Sequence, residues 1–353
     1  MTSLGPIFAD DLARVKPGDR LRLTISAQTS DAAALAQAAL EARARGERVL
    51  VVCADPADVP RLAQEMPWFE PKLDVRPLPD WETLPYDVLS PQEELVSERL
   101  EALYRLTAPT GGADVLLTSA VTASQRLSPV SYIGANTFFF HQGEQISLTT
   151  LQKRLAAAGY TNVKQVLAAG EFAVRGSIVD VFPMGSERPF RLDFFDDEIE
   201  SIRWFDVDTQ RSMESAEEIR LLPGHEFPVD PEALLAFRQR WRREFAGDPK
   251  KSIVYCDIEK EILPPGIEYY LPLFFDETAA LTDYLPPNAR VFLLGDIEAA
   301  LQAFGRDMAS RYKVLAADPQ RPALAPERIW LKLCALHGRE KRERRGSETL
   351  ERH

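Results

Sequence analysis

Two long apolar stretches constrain the fold of this chain more than any other feature. RVLVVCAD (residues 48–55) and ADVLLTSAVTA (residues 113–123) carry few polar side chains that could face solvent. Strands buried on both faces are typical of parallel sheets, because crossover helices cover both sides of such a sheet. A helical segment, SPQEELVSERLEALYRL, lies between them, and Ser90 is its predicted N-cap. This alternation predicts a parallel α/β module.

The pattern changes after about residue 137. GEFAVRGSIVDVF, FRLDFF and IESIRWFDV have the features of three short strands joined by polar turns, which predicts a small antiparallel α+β module. The parallel-strand signature returns in RVFLLGD near residue 291. We therefore predict a mixed α/β and α+β chain. A parallel α/β domain is split between residues 1–137 and 223–330, and a small antiparallel domain over residues 138–222 is inserted into it. Residues 331–353 are predicted to form a disordered tail.

Composition limits the class of protein. The formal net charge of −12 makes the chain a poor binder of nucleic acid by itself, because phosphates attract Lys and Arg patches. Three widely spaced cysteines are typical of a reduced compartment. The first residues carry no apolar run of the signal-peptide type, and no stretch is long enough to cross a membrane. These features predict a cytoplasmic protein without a membrane partner.

Motifs for nucleotide or metal chemistry are missing. The turn TISAQTSDAAALAQ, where a phosphate-binding loop would lie, has no glycine, and no Gly-Lys pair occurs in the chain. Asp276 and Glu277 in LFFDETAAL resemble a metal-and-water carboxylate pair, but we interpret Asp276 as a helix N-cap. The four histidines lack metal-ligand spacing. We therefore predict no catalytic residue, no cofactor, no metal and no enzymatic activity for this chain.

Two further segments receive structural interpretations. In LPDWETLPYD, residues 78–87, Trp81 and Tyr86 could stack on single-stranded DNA, but acidic neighbours favour a packed surface loop. The tail from Leu331 carries seven basic and four acidic residues without apolar periodicity after Leu336. A solvated terminus is the favoured interpretation, and a weak, salt-sensitive contact with DNA is the alternative.

The segment FRLDFF breaks the alternation of apolar and polar residues at its end, although its side chains still alternate between the two faces. Phe190, Leu192 and Phe194 share one predicted face, whereas Phe195 falls on the face of Arg191. Strand parity in EFAVRGSIVDVF also turns Arg175 outward, and a register that sets Arg175 opposite Phe195 is allowed. An exposed aromatic ring between two arginines has the composition of an interface hot spot. An arginine stem packed over an exposed ring is the structural alternative.

The longest of these segments carry a resemblance to a known family. LPDWETLPYDVLSPQEELVSERLEALYRL, GEFAVRGSIVDVFPMGSERPFRLDFFDDEIESIRWFDVDTQRS and GIEYYLPLFF resemble the N-terminal region of the bacterial transcription-repair coupling factors (Mfd), itself similar to the excision-repair protein UvrB. The resemblance covers about residues 20–330. It implies a helicase-like α/β domain interrupted by a small antiparallel domain. It also implies a degenerate copy of the UvrB ATPase that does not hydrolyse ATP, in which Asp296, followed by Ile297, stands where UvrB carries an Asp-Glu pair.

The resemblance also implies a partner. In both relatives the small domain docks UvrA, the damage-recognition subunit, and the family's recognition residues fall on Arg175, Arg191 and Phe195. Full-length family members bind RNA polymerase and move along double-stranded DNA through regions absent from this chain. The leading hypothesis is therefore a non-catalytic module that recruits UvrA in transcription-coupled nucleotide excision repair. The alternatives are a UvrB-like DNA-dependent ATPase and an intramolecular clamp that keeps the full-length factor autoinhibited.

Overall fold

A computed structural model describes residues 30–108 and 112–331 of the chain. The predicted phosphate-loop residues before Ser30 and the tail beyond Leu331 therefore lie outside the described residues. The helices of the described part are α1 Ser30–Ala44, α2 Asp58–Phe69, α3 Glu93–Thr107, α4 Ala120–Ser124, α5 Val130–Ala135, α6 Leu148–Ala157, α7 Pro231–Glu244, α8 Ile253–Glu259, α9 Ile297–Leu315 and α10 Pro326–Ile329. The strands are β1 Val49–Cys53, β2 Val75–Leu78, β3 Val115–Ser119, β4 Phe138–His141, β5 Thr161–Asn162, β6 Glu171–Arg175, β7 Ile178–Val181, β8 Phe190–Phe195, β9 Glu198–Phe205, β10 Ser212–Ala216, β11 Glu218–Leu221 and β12 Arg290–Leu294.

A parallel sheet confirms the predicted α/β module and its interruption. Its strand order is β12-β1-β3-β2, and every neighbouring pair is parallel. Strand β12 lies about 170 residues after β3 in the chain, yet Val49 pairs with both Arg290 and Val115. All residues of β1 and β3 are buried, as the apolar stretches predict. The sheet is therefore assembled from segments on both sides of the small antiparallel module.

The antiparallel module is built around a second sheet, of order β10-β9-β8-β7-β6-β5. Its predicted first strand is wrong in one respect, because GEFAVRGSIVDVF forms two strands, β6 and β7, rather than one. The chain turns between them at Gly176, whose φ of 63° is favourable for a residue without a side chain. The segment PMGSER then connects β7 to β8, and these two strands pair antiparallel.

The two modules share one apolar core. Leu50 and Val52 of the parallel sheet belong to the same cluster of buried residues as Phe172, Leu192 and Ile202 of the antiparallel sheet. The opposite face of the parallel sheet packs on α1 and α2 in a separate cluster. A third cluster, rich in aromatic residues, fills the part of the chain after residue 226. No helix within residues 30–108 and 112–331 has the length and apolar character to cross a membrane.

Side-chain capping begins α7. The Asp230 carboxylate accepts hydrogen bonds from Glu232 N and Ala233 N at 3.1 Å each.

The predicted cap at Ser90 is wrong. Ser90 does not cap α3, which begins at Glu93. The Ser90 hydroxyl instead donates to the Glu268 carboxylate at 2.9 Å and accepts from Gly266 N at 3.0 Å. The Ser90 side chain therefore forms long-range hydrogen bonds instead of capping the helix that directly follows it in the sequence.

Candidate protein-interaction site

Strand β8 presents the alternation that its sequence predicts. Leu192 and Phe194 are buried, whereas Phe195 is 68% exposed at the end of the strand. A bulge in β9 lies opposite this point, because Asp193 pairs with Ser201 while Phe194 pairs with Ile199. The extra residue is on β9, so β8 keeps its regular alternation and Phe195 points away from the core.

Arg175, Arg191 and Phe195 lie on the same face of the antiparallel sheet. Arg175 pairs with Ile178, Ile178 pairs with Asp193, and Asp193 stands two residues from both Arg191 and Phe195 in β8. Paired residues in neighbouring strands share a face, and so do alternate residues of one strand. The register that would set Arg175 opposite Phe195 is wrong, because β7 lies between their strands and Phe195 pairs with Glu198.

A buried carboxylate on this face connects the two arginines. Asp180 on β7 pairs with both Ala173 and Arg191, and its side chain is 1% exposed. Its oxygens accept hydrogen bonds from Arg191 Nε at 2.7 Å, from Arg191 Nη2 at 3.0 Å and from Arg175 Nη2. The sequence prediction does not place Asp180 on this face, because a single strand over EFAVRGSIVDVF would turn position 180 toward the core with Phe172. The Gly-Ser pair between two apolar runs is the sequence signal for a hairpin, which reverses that assignment.

The two arginines differ in exposure. The Arg191 side chain is 14% exposed, and its Nη1 also donates to Gln210 O at 3.2 Å and to Ser212 Oγ at 3.1 Å. Its guanidinium carbon lies 4.9 Å from the ring centroid of the buried Phe205. The hydrogen bonds to Asp180 raise the pKa of Arg191 above its ordinary value. The Arg175 side chain is 49% exposed. Arg191 is therefore largely covered, and Arg175 is accessible.

One end of the face is covered and the other is open. Val166 packs with Ala173 and Phe205 in a small buried cluster over the covered end. At the open end the tips of two hairpins meet, since Phe194 N donates to Ser177 O at 2.9 Å. Asp196 turns the second hairpin with a φ of 53°. The open end thus combines an exposed ring, an accessible guanidinium and the carboxylates of the hairpin tip that follows Phe195.

The start of α1, where an ATPase would hold phosphate, is acidic. Asp31 is buried, and Arg61 Nη2 donates to its carboxylate at 2.7 Å. Arg61 also pairs with Asp58 at 2.7 Å and with Glu65 at 2.9 Å. One guanidinium therefore serves three carboxylates. The local charge disfavours an anion at a helix N-terminus that would otherwise attract one.

The remaining candidate residues have structural partners. Asp276 is not a helix N-cap, because residues 277–280 are not helical, and its exposed carboxylate pairs with Arg240 at 2.6 Å. Asp296 caps α9 by accepting from Ala299 N at 3.0 Å. Trp81 is 2% exposed and donates from Nε1 to Glu226 at 3.1 Å, which confirms the packed loop. In the described ranges, no group of three or more His, Cys, Asp or Glu side chains could hold a metal ion.

Comparison with known proteins is consistent with this architecture. The family model described as the UvrB interaction domain matches residues 138–227, which include the whole face. The chain is 42% identical over 289 residues to the transcription-repair-coupling factor of Escherichia coli strain K12, covering 82% of this chain and 25% of that protein. It is 45% identical over 269 residues to the protein of the same name from Haemophilus influenzae, covering 75% and 23%.

A relative of lower sequence identity carries the same protein name. The transcription-repair-coupling factor of Bacillus subtilis is 32% identical over 216 residues, which are 57% of this chain. The chain spans about a quarter of the length of the first two relatives. The resemblance predicted from the sequence is therefore confirmed: residues 138–227 match the UvrB interaction domain, and most of the chain is similar to about a quarter of the transcription-repair-coupling factors.

Proposed function

We propose that this chain is a non-catalytic module that recruits UvrA in transcription-coupled nucleotide excision repair, in the cytoplasm. UvrA docks on the open end of the antiparallel sheet, on the face formed by Arg175, Arg191 and Phe195. The observation that carries the proposal is the exposed Phe195 ring within the matched interaction domain. A large exposed aromatic next to an arginine is typical of an interface hot spot.

The absence of catalysis is supported by two observations. The segment at residues 25–33 has neither glycine nor lysine, although phosphoryl transfer needs charge neutralisation at the β- and γ-phosphates. At the start of α1, Asp31 and its neighbouring carboxylates already occupy the nearby cation, Arg61. Binding of RNA polymerase and movement along double-stranded DNA belong to other regions of a full-length factor.

A pull-down of this chain with purified UvrA, with and without ATP, tests the proposal. We expect retention of UvrA by the wild-type chain and loss of retention for Phe195→Ala. Met213→Ala is the matched control, because Met213 is 51% exposed on the same sheet but lies on β10. Equal retention by all three chains would show that UvrA does not use this face.

A further inference from the structure

We infer that Asp180 is the positioning residue of the docking face, and that Arg175 rather than Arg191 offers its guanidinium to the partner. The inference rests on the proposed function and deepens it. The carboxylate of Asp180 accepts hydrogen bonds from both arginines. Asp180 lies beneath both arginines and has almost no access to solvent.

The buried carboxylate fixes both guanidinium groups. A buried charge needs charged hydrogen-bond partners, because its desolvation is otherwise strongly unfavourable. Oδ1 of Asp180 accepts from Arg191 Nε, and Oδ2 accepts from Arg191 Nη2 and Arg175 Nη2. Removal of Asp180 would therefore release Arg175 from its position above the sheet. An arginine held in its binding orientation loses less conformational entropy when a partner arrives.

The donors of the two arginines are used differently. Arg191 directs Nε, Nη1 and Nη2 at acceptors within the chain, and its plane lies near the Phe205 ring. Arg175 directs one nitrogen, Nη2, at Asp180 and leaves half of its side chain exposed. A guanidinium carries five N–H donors, so Arg175 retains donors for an external acceptor. Arg191 therefore acts through Asp180, and Arg175 acts on the partner.

The exposed groups of the face indicate the chemistry of the partner. The face carries charges of both signs, because Arg203 pairs with Arg191 and Glu198 pairs with Phe195. Neighbouring charges of opposite sign largely cancel at a distance, so recognition depends on direct contacts. The matching surface is a protein with an apolar recess for Phe195 and a carboxylate or main-chain carbonyl beside it for Arg175.

A double-mutant cycle with purified UvrA tests the inference. We expect Asp180→Asn to weaken UvrA binding about tenfold in the wild-type background, but less than about twofold in an Arg175→Ala background. Asp193→Asn is the control, because it removes a carboxylate from the same face and should change the affinity less than about threefold. Equal losses in both backgrounds would show that Asp180 acts through the fold, and no loss would show that Arg175 does not need it.

Two further readouts separate the inference from the proposed function. If Arg175→Ala and Phe195→Ala bind UvrA as the wild type does, the proposed function fails. Nitrogen-15 spectra of the arginine side chains need no UvrA. We expect hindered guanidinium rotation for Arg175 in the wild type and free rotation in Asp180→Asn. Free rotation of Arg175 in both proteins would overturn the inference whatever the binding result.

Discussion

At the scale of single residues, neighbouring phenylalanines have opposite roles. Phe194 is 5% exposed and belongs to the shared core, whereas Phe195 projects from the open end of the sheet. Both positions follow from strand alternation, so the sequence predicts them correctly. The partners of Arg191 do not follow from alternation, because Asp180, Gln210 and Ser212 come from other strands and turns.

The two phenylalanines should therefore differ in stability when truncated. We expect Phe194→Ala to lower the free energy of unfolding by roughly 3–5 kcal/mol, because it opens a cavity in the core. Phe195→Ala should change the free energy of unfolding by less than about 0.5 kcal/mol, as surface substitutions usually do. Urea titrations of both variants measure the difference. A large loss for Phe195→Ala with a small one for Phe194→Ala would mean that the strand faces are reversed.

Truncation of Arg191 and of Arg175 should also change the free energy of unfolding by different amounts. Arg191→Ala leaves the buried Asp180 with Arg175 as its remaining described ion-pair partner, and we expect a loss of about 3 kcal/mol in the free energy of unfolding. Arg175→Ala removes a half-exposed partner and should cost no more than about 1 kcal/mol. Thermal melts of both variants check this order. A greater loss for Arg175→Ala would contradict the assignment of Arg191 as the anchor.

At the scale of elements, the sequence predicts the apolar strands well and the turns and caps less well. The turn at Gly176 splits one predicted strand into two, because a residue without a side chain adopts a positive φ readily. The alternation of apolar residues does not reveal such a turn. Ser90 leaves the cap of α3 because Glu268, 178 residues away, offers it an acceptor. Contacts at such separation depend on the assembled fold and have no local signal.

The Ser90–Glu268 contact gives a pH-dependent prediction. Burial raises the pKa of Glu268 to about 7, so the folded chain holds a proton there that the unfolded chain loses near pH 4.5. Stability therefore falls through this group as pH rises from about 4.5 to 7. We expect Glu268→Gln, which preserves the acceptor for Ser90, to stabilise the fold more at pH 7.5 than at pH 5.

Denaturant titrations of Glu268→Gln and wild type at the two pH values measure this difference. The buried His225, whose pKa is lowered to about 4, opposes Glu268 in the same window but is common to both proteins. Its contribution cancels in the comparison. An equal effect of Glu268→Gln at both pH values would show that Glu268 is ionised in the folded chain throughout the range.

At the scale of the whole molecule, distant segments are joined by contacts that composition does not predict. Glu226 accepts from Arg99 Nε at 2.6 Å and from Trp81, and all three side chains are buried. This contact fixes the loop of residues 78–87 and α3 to the chain that follows the antiparallel module. The parallel strands on both sides of the insertion were predictable because each is apolar by itself, whereas the ion pair depends on their assembly.

The whole chain should be inactive as an ATPase. The charge at the start of α1 and the missing glycines remove the means of holding the β- and γ-phosphates, so we expect no turnover with or without DNA. A coupled assay of phosphate release over hours, with Asp276→Ala and Asp296→Ala as controls, measures this. DNA-stimulated turnover that either variant abolishes would favour the UvrB-like ATPase.

A calorimetric titration of UvrA with the wild-type chain, Phe195→Ala and the control Met213→Ala tests directly whether Phe195 docks UvrA. We expect Phe195→Ala to keep the melting temperature of the wild type and to lose about 2 kcal/mol or more of binding free energy, while Met213→Ala binds normally. A Phe195→Ala chain that is fully folded and binds UvrA with wild-type affinity would show that Phe195 is not part of the UvrA contact.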